Sequence, residues 1–209
     1  MTGKLARRLA KPLAHAALAL PLMWLLAHWG LILTGETRVL GANPVEATVR
    51  FLGDWAIRVL LLALAVSPAA HMFKRAGLMA LRRMVGLWAF AYVSLHLLGY
   101  LGMDLLFDWA ALWRDLLKRS YIALGMMAFV LLTPLAATST NTMIKRLGAR
   151  RWRRLHRLVY PAALLAVLHH GLMVKGVQPG PFIHGGVLAL LLGYRLYASR
   201  LRKNAACKA

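Results

Sequence analysis

The side chains able to do chemistry in this 209-residue chain are mainly imidazoles. It has eight histidines, against six acids and a single cysteine. His96 sits in GLWAFAYVSLHLLGYLG, a stretch with no charge between Arg83 and Asp104. A second stretch, RRLHRLVYPAALLAVLHH, carries His156 at its basic start and His169 and His170 at its end. An ionisable group inside a membrane helix is costly and marks function by default. His96 lies 13 residues beyond Arg83 and His169 lies 15 beyond Arg154, roughly 20 and 22 Å along helices that rise ~1.5 Å per residue. Two imidazoles at nearly equal depth on parallel helices are what bis-histidine haem ligation requires, with one ring nitrogen of each on the iron. Two histidines with no cysteine or carboxylate nearby make a poor zinc site. The competing reading is a histidine pair that hydrogen-bonds backbone or hydroxyl groups across helices. Gly99, one turn beyond His96, would give a macrocycle room to approach.

His156 belongs to the opposite leaflet, within two residues of Arg154. It reads as a ligand of a second haem, or as a hydrogen-bond partner of a haem propionate or another cofactor. Thirteen residues before His96 stands Arg83 and not histidine, so His71 and His15 are the candidates to face it. At ~3.6 residues per turn, a 13-residue step rotates by about 220°, whereas a 14-residue step falls about 40° short of complete turns. That puts His170 on the face of His156, unless Pro161 repitches the helix. Spacing leaves His169 and His170 both open. His15, His28, His71 and His184 read as ordinary interfacial residues.

The elements that position these groups are membrane helices. The chain is 60% hydrophobic with a mean hydropathy of +0.60, where soluble domains are about 45–50% apolar. Apolar runs of the length that spans hydrocarbon recur six times, at about 13–33, 51–70, 84–103, 121–140, 155–174 and 181–199. No strand-like alternation occurs, and the links are too short for a soluble domain. The expectation is one all-α domain over residues 1–209, an integral membrane six-helix bundle. A formal charge of +21 would suggest nucleic acid in a soluble protein, but its distribution explains it otherwise. Twenty of the 27 basic residues fall at 4–11, 74–83, 145–157 and 195–208, one side of an alternating bundle. All six acids fall in or beside the opposite loops. The positive-inside rule then puts both termini in the cytoplasm. The N-terminal run is longer than a signal-peptide core and lacks a cleavage pattern, so it reads as a retained first helix. Cys207 stands alone in the tail, which excludes a disulfide framework, and no C-x-x-C-H occurs for covalent haem attachment. Trp109 and Trp113 in an outer loop suit an interfacial belt.

Four blocks resemble the MsrQ (YedZ) family of haem-binding membrane subunits, within the ferric-reductase-like transmembrane group that includes NADPH oxidases. They are GANPV at 41–45, RRMVGLWAFAYVSLHLLGY at 82–100, TST at 138–140 and LGARRWRRLHRLVY at 147–160. The resemblance implies haem-associated positions at His96, His156 and His169, which favours His169 over His170. It implies b-type haem, FMN, and a multi-pass place in the bacterial inner membrane. It also implies electron transfer from membrane quinol to a periplasmic molybdopterin-containing methionine sulfoxide reductase that repairs oxidised proteins. The oxidase relatives carry two ligand pairs, and Arg83 occupies the fourth position here, which speaks against a second bis-histidine haem. Arginines such as Arg83 and Arg154 are available to neutralise propionates or an FMN phosphate, although topology alone also accounts for them. The sequence contains no G-x-G-x-x-G or P-loop, so electrons are expected from a lipid-soluble donor or a separate cytoplasmic flavin reductase. A bis-histidine haem has no open iron position, so the expectation is a relay that does not activate oxygen. Two other readings fit the pattern: a ferric or quinone reductase with another acceptor, and a haem-free transporter or assembly factor.

Overall fold

Each apolar run becomes a helix. The computed structural model describes residues 2–36, 38–174 and 176–206. Cys207 and Lys208 lie outside the described residues, as do the side chains of Lys4, Arg7, Arg8, Arg202 and Lys203. Helix α1 runs Thr2–Leu33 and α2 runs Pro44–Met72. The GANPV block is the start of α2: Gly41 turns the chain at φ +85°, and the Asn43 side chain accepts the Glu46 amide at 3.1 Å. Pro44 then occupies the first helical turn, where its missing N–H costs nothing. Helix α3 (Arg82–Gly99) passes into a π-helical turn at Tyr100–Asp104. Helices α4 (Trp109–Lys118), α5 (Ser120–Ala137) and α6 (Asn141–Leu155) follow. A 3-10 turn at His156–Leu158 leads into α7 (Val159–Met173), and α8 spans Pro179–Ala206. No strand occurs among the described residues.

The six expected spans fall on α1, α2, α3, α5, α7 and α8; α1, α2 and α8 are longer than their apolar runs, and α3, α5 and α7 are shorter. Two further helices occupy what reads in the sequence as loop. Helix α4 is capped by Asp108, whose carboxylate accepts the Ala111 amide at 2.9 Å. Its Trp109, Trp113 and Leu117 recur every four residues and are exposed, so they form one outward stripe. Helix α6 is capped by Thr140 of the TST block, whose hydroxyl accepts the Met143 amide at 3.2 Å. It breaks at Gly148, held at φ 73° and ψ 151°, a region that suits glycine. Both helices are amphipathic and short, so neither shows as a long apolar run.

Four segments are long and apolar enough to cross a membrane: Leu9–Leu33, Gly77–Asp104, Ser120–Ala137 and Pro179–Leu201. Their flanks carry exposed Leu20, Leu26, Val130 and Leu190, side chains that only lipid covers without cost. Helix α2 is the central element, with twelve buried residues, and it packs chiefly on α3, while α5 packs on α7. Helix α7 has 15 residues, about 22 Å, short of ~30 Å of hydrocarbon. Helix α1 lies at the periphery, tied by Tyr92 Oη, which donates to the Leu18 carbonyl at 2.7 Å.

Candidate functional site

The two helix pairs, α2–α3 and α5–α7, enclose a cavity of about 340 Å³. Its depth is apolar, lined by Ile57, Leu60, Phe129 and Leu132, and its mouth carries Glu46, Arg50, Asp104 and Arg119. His96 from α3 and His169 from α7 project into it from facing walls. Their ring centroids are 6.1 Å apart and their planes meet at 74°. The two imidazoles counted to matching depth therefore meet.

Each ring is held by the same device. His96 Nδ1 lies 2.8 Å from the Val49 carbonyl, and His169 Nδ1 lies 2.6 Å from the Tyr121 carbonyl. A carbonyl only accepts, so Nδ1 carries the proton in both rings and Nε2 keeps a free lone pair. Four residues past each carbonyl stands a glycine, Gly53 on α2 and Gly125 on α5. A Cβ on Gly53 would lie 3.0 Å from His96 Cε1, and one on Gly125 would lie 2.8 Å from His169 Nδ1. One carbonyl fixes the tautomer and one glycine makes room for the ring, once per helix pair. The glycines precede their histidines by 43 and 44 residues. That interval is a readable signal which depth counting along single helices missed. Gly99 plays a different part from the one expected. A Cβ there would meet Val49 Cγ2 at 3.4 Å, so Gly99 serves α2–α3 packing and does not face the cavity.

His170 also lines the cavity but pairs with different neighbours. Its Nδ1 lies 3.8 Å from Asp54 Oδ1, and its ring meets that of His184 at 5.1 Å. His184 is not an ordinary interfacial residue: it is 8% exposed, because the start of α8 packs on the C-terminal end of α7. His156 stacks on Trp152 at 3.8 Å and donates from Nδ1 to the Trp152 carbonyl at 3.1 Å. Its Nε2 is buried with no hydrogen-bond partner. Neither proposed partner reaches it: His15 accepts from Trp88 Nε1 at 2.9 Å, and His71 is exposed. Arg83 donates to Asn141 Oδ1 at 2.6 Å and lines a separate cleft with Lys11, His15 and Trp88. Arg154 is exposed. The arginines that border the His96–His169 cavity are Arg50 and Arg119, paired with Glu46 at 2.7 Å and Asp115 at 3.2 Å. Acidic partners of α2 and α4 hold them there, a pairing that positive-inside counting does not register. Among the described residues no three His, Cys, Asp or Glu side chains converge as metal ligands.

A helical membrane bundle with paired imidazoles facing across a central cavity belongs to a recognisable class. Residues 52–167 match the family described as the ferric reductase like transmembrane component, a segment that takes in Gly53, His96, Gly125 and His156. The chain is 49% identical over 197 residues to the protein-methionine-sulfoxide reductase heme-binding subunit MsrQ of Rhodospirillum rubrum, covering 94% of this chain and 92% of that protein. Against the subunit of the same name from Caulobacter vibrioides it is 48% identical over 198 residues, 95% of this chain and 91% of that protein. The Polaromonas naphthalenivorans subunit is 46% identical over 191 residues, 90% of this chain and 84% of that one. The chain belongs to the MsrQ family, within the ferric-reductase-like transmembrane group.

Proposed function

We propose that the chain holds a b-type haem between His96 and His169 and passes electrons to a protein-methionine-sulfoxide reductase. The observation that carries this reading is the twin device, two facing imidazoles each with Nδ1–H spent on a carbonyl and Nε2 free. Metal–imidazole bonds are about 2 Å long, so two of them plus the half-widths of two rings come to about 6 Å, close to the separation of 6.1 Å between the centroids. An ion bound by side chains alone needs more donors than two, whereas a macrocycle brings its own four nitrogens. The residues present therefore fit the group. When bound, haem would supply one-electron redox chemistry. The protein's part is to fix both rings through Val49 and Tyr121, and to keep water out with Ile57, Leu60, Phe129 and Leu132.

The charge asymmetry supports six membrane crossings with both termini in the cytoplasm of a bacterial inner membrane. Membrane quinol is the donor in this reading, and the acceptor is the periplasmic molybdopterin-containing catalytic subunit. FMN, or a cytoplasmic flavin reductase, would meet the chain at the inner end, where His156, Arg83 and Arg154 lie. Reconstitution tests the chain of transfer. In proteoliposomes, a reduced quinol is expected to reduce the haem, and the catalytic subunit with methionine sulfoxide is expected to reoxidise it. Haem that stays reduced with that pair but is reoxidised by ferric chelates would assign a different acceptor.

A further inference from the structure

At the inner end of the bundle two half-buried guanidiniums, Arg82 and Arg195, stand on helices that carry no acid. Arg195 on α8 reaches α2 and donates from Nη2 to the Leu64 carbonyl at 2.6 Å. That carbonyl is open because the residue four positions on is Pro68, which has no N–H to give it. Arg195 Nη1 donates to Tyr160 Oη at 2.8 Å, and the guanidinium carbon stands 5.3 Å from the centre of that ring. These bonds account for two of its nitrogens. The third, Nε, is buried without a partner. Arg82, the first residue of α3, is half-buried and within electrostatic reach of Arg195, Tyr160 and His156. Among the described residues it forms no ion pair, because every ion pair in the fold joins residues of the opposite end. The six acids all fall at 36–54 and 104–115.

Half-burying two like charges within electrostatic reach of each other is unfavourable unless a counter-charge enters with them. A guanidinium fork matches phosphate oxygens in geometry as well as charge. We propose that Arg82 and Arg195, with the Tyr160 hydroxyl, form a binding site for a phosphate group presented at the cytoplasmic leaflet. The group reaches the site on an acidic phospholipid or as a free phosphate ester. The inference rests on permanent cations and does not depend on haem occupying the outer cavity.

The test uses the full-length protein in nanodiscs. Three probes are titrated separately: phosphatidylglycerol against a phosphatidylcholine background, FMN, and inorganic phosphate. Retention is read by native mass spectrometry, and FMN also by fluorescence quenching. Arg82→Gln is the principal variant, since Arg82 makes no hydrogen bond whose loss would unfold the chain. Arg195→Lys keeps the charge but loses the fork, and the exposed Arg153→Gln controls for general basicity. Wild-type binding of at least one probe is expected, weakened about tenfold or more by Arg82→Gln and by Arg195→Lys. Arg153→Gln is expected to bind like wild type. The probe that shows this pattern identifies the source. Binding of none of the three, or binding weakened equally by Arg153→Gln, would overturn the proposal. The haem absorption of the same samples reports separately on the outer cavity.

Discussion

Replacing His169 by alanine is expected to reduce haem content to background, whereas replacing His170 by alanine leaves it at the wild-type level. The residues are adjacent in sequence but serve different neighbours. His169 is 6.1 Å from His96, ring centre to ring centre, and its Nδ1 is tied to Tyr121. His170 lies against Asp54 and His184. On the proposed ligation, truncating His169 would remove one of two iron ligands, while His170, which also lines the cavity, is engaged with Asp54 and His184. Truncating His170 opens a small void beside Asp54, of the kind that costs about 1–3 kcal/mol of stability without touching the ligand pair. Pyridine haemochrome assays on purified, size-selected protein give haem per chain for each variant. Haem lost with His170→Ala and retained with His169→Ala would exchange their roles.

The second large effect belongs to residues with no chemistry of their own. Gly125→Val is expected to abolish haem uptake, and Gly125→Ala to weaken it by about 10–100-fold, the usual cost of disturbing a group that orients a metal ligand. Any Cβ at this position comes within 2.8 Å of His169 Nδ1, so the ring must leave the Tyr121 carbonyl. Gly53→Ala meets His96 at 3.0 Å and is expected to be milder, since its contact is slightly longer. Gly99→Ala meets only Val49 and Leu52, at 3.4 and 3.9 Å, and is expected to bind haem normally. Titration of apoprotein with haemin, followed at the Soret band, ranks the four. Unchanged affinity in Gly125→Val would remove the glycine from the account.

Membrane character, all-helical class and the facing of His96 with His169 were legible in the sequence, because each depends on counting along one helix. What lies between helices was harder to read. The carbonyls of Val49 and Tyr121 leave no mark in side-chain chemistry, and their glycines show only when the 43- and 44-residue intervals to the histidines are set side by side. Helical phase pointed to His170, through an assumed shared face with His156. The premise that fails is that His156 shares a cavity with the ring facing His96: it stacks on Trp152, outside the cavity that His96 and His169 line. Arg50 and Arg119 escaped attention because topology assigns arginines to the inner side. Helices α4 and α6 escaped it because their apolar stripes are short.

The central claim is that His96 and His169 together hold one haem, and the spin state of the iron in the purified protein tests it most directly. Electron paramagnetic resonance and near-infrared magnetic circular dichroism are expected to show low-spin ferric iron with two imidazole ligands, and His96→Ala is expected to eliminate that signal. Protein that carries no haem, or whose low-spin signal survives in His96→Ala, would contradict the account.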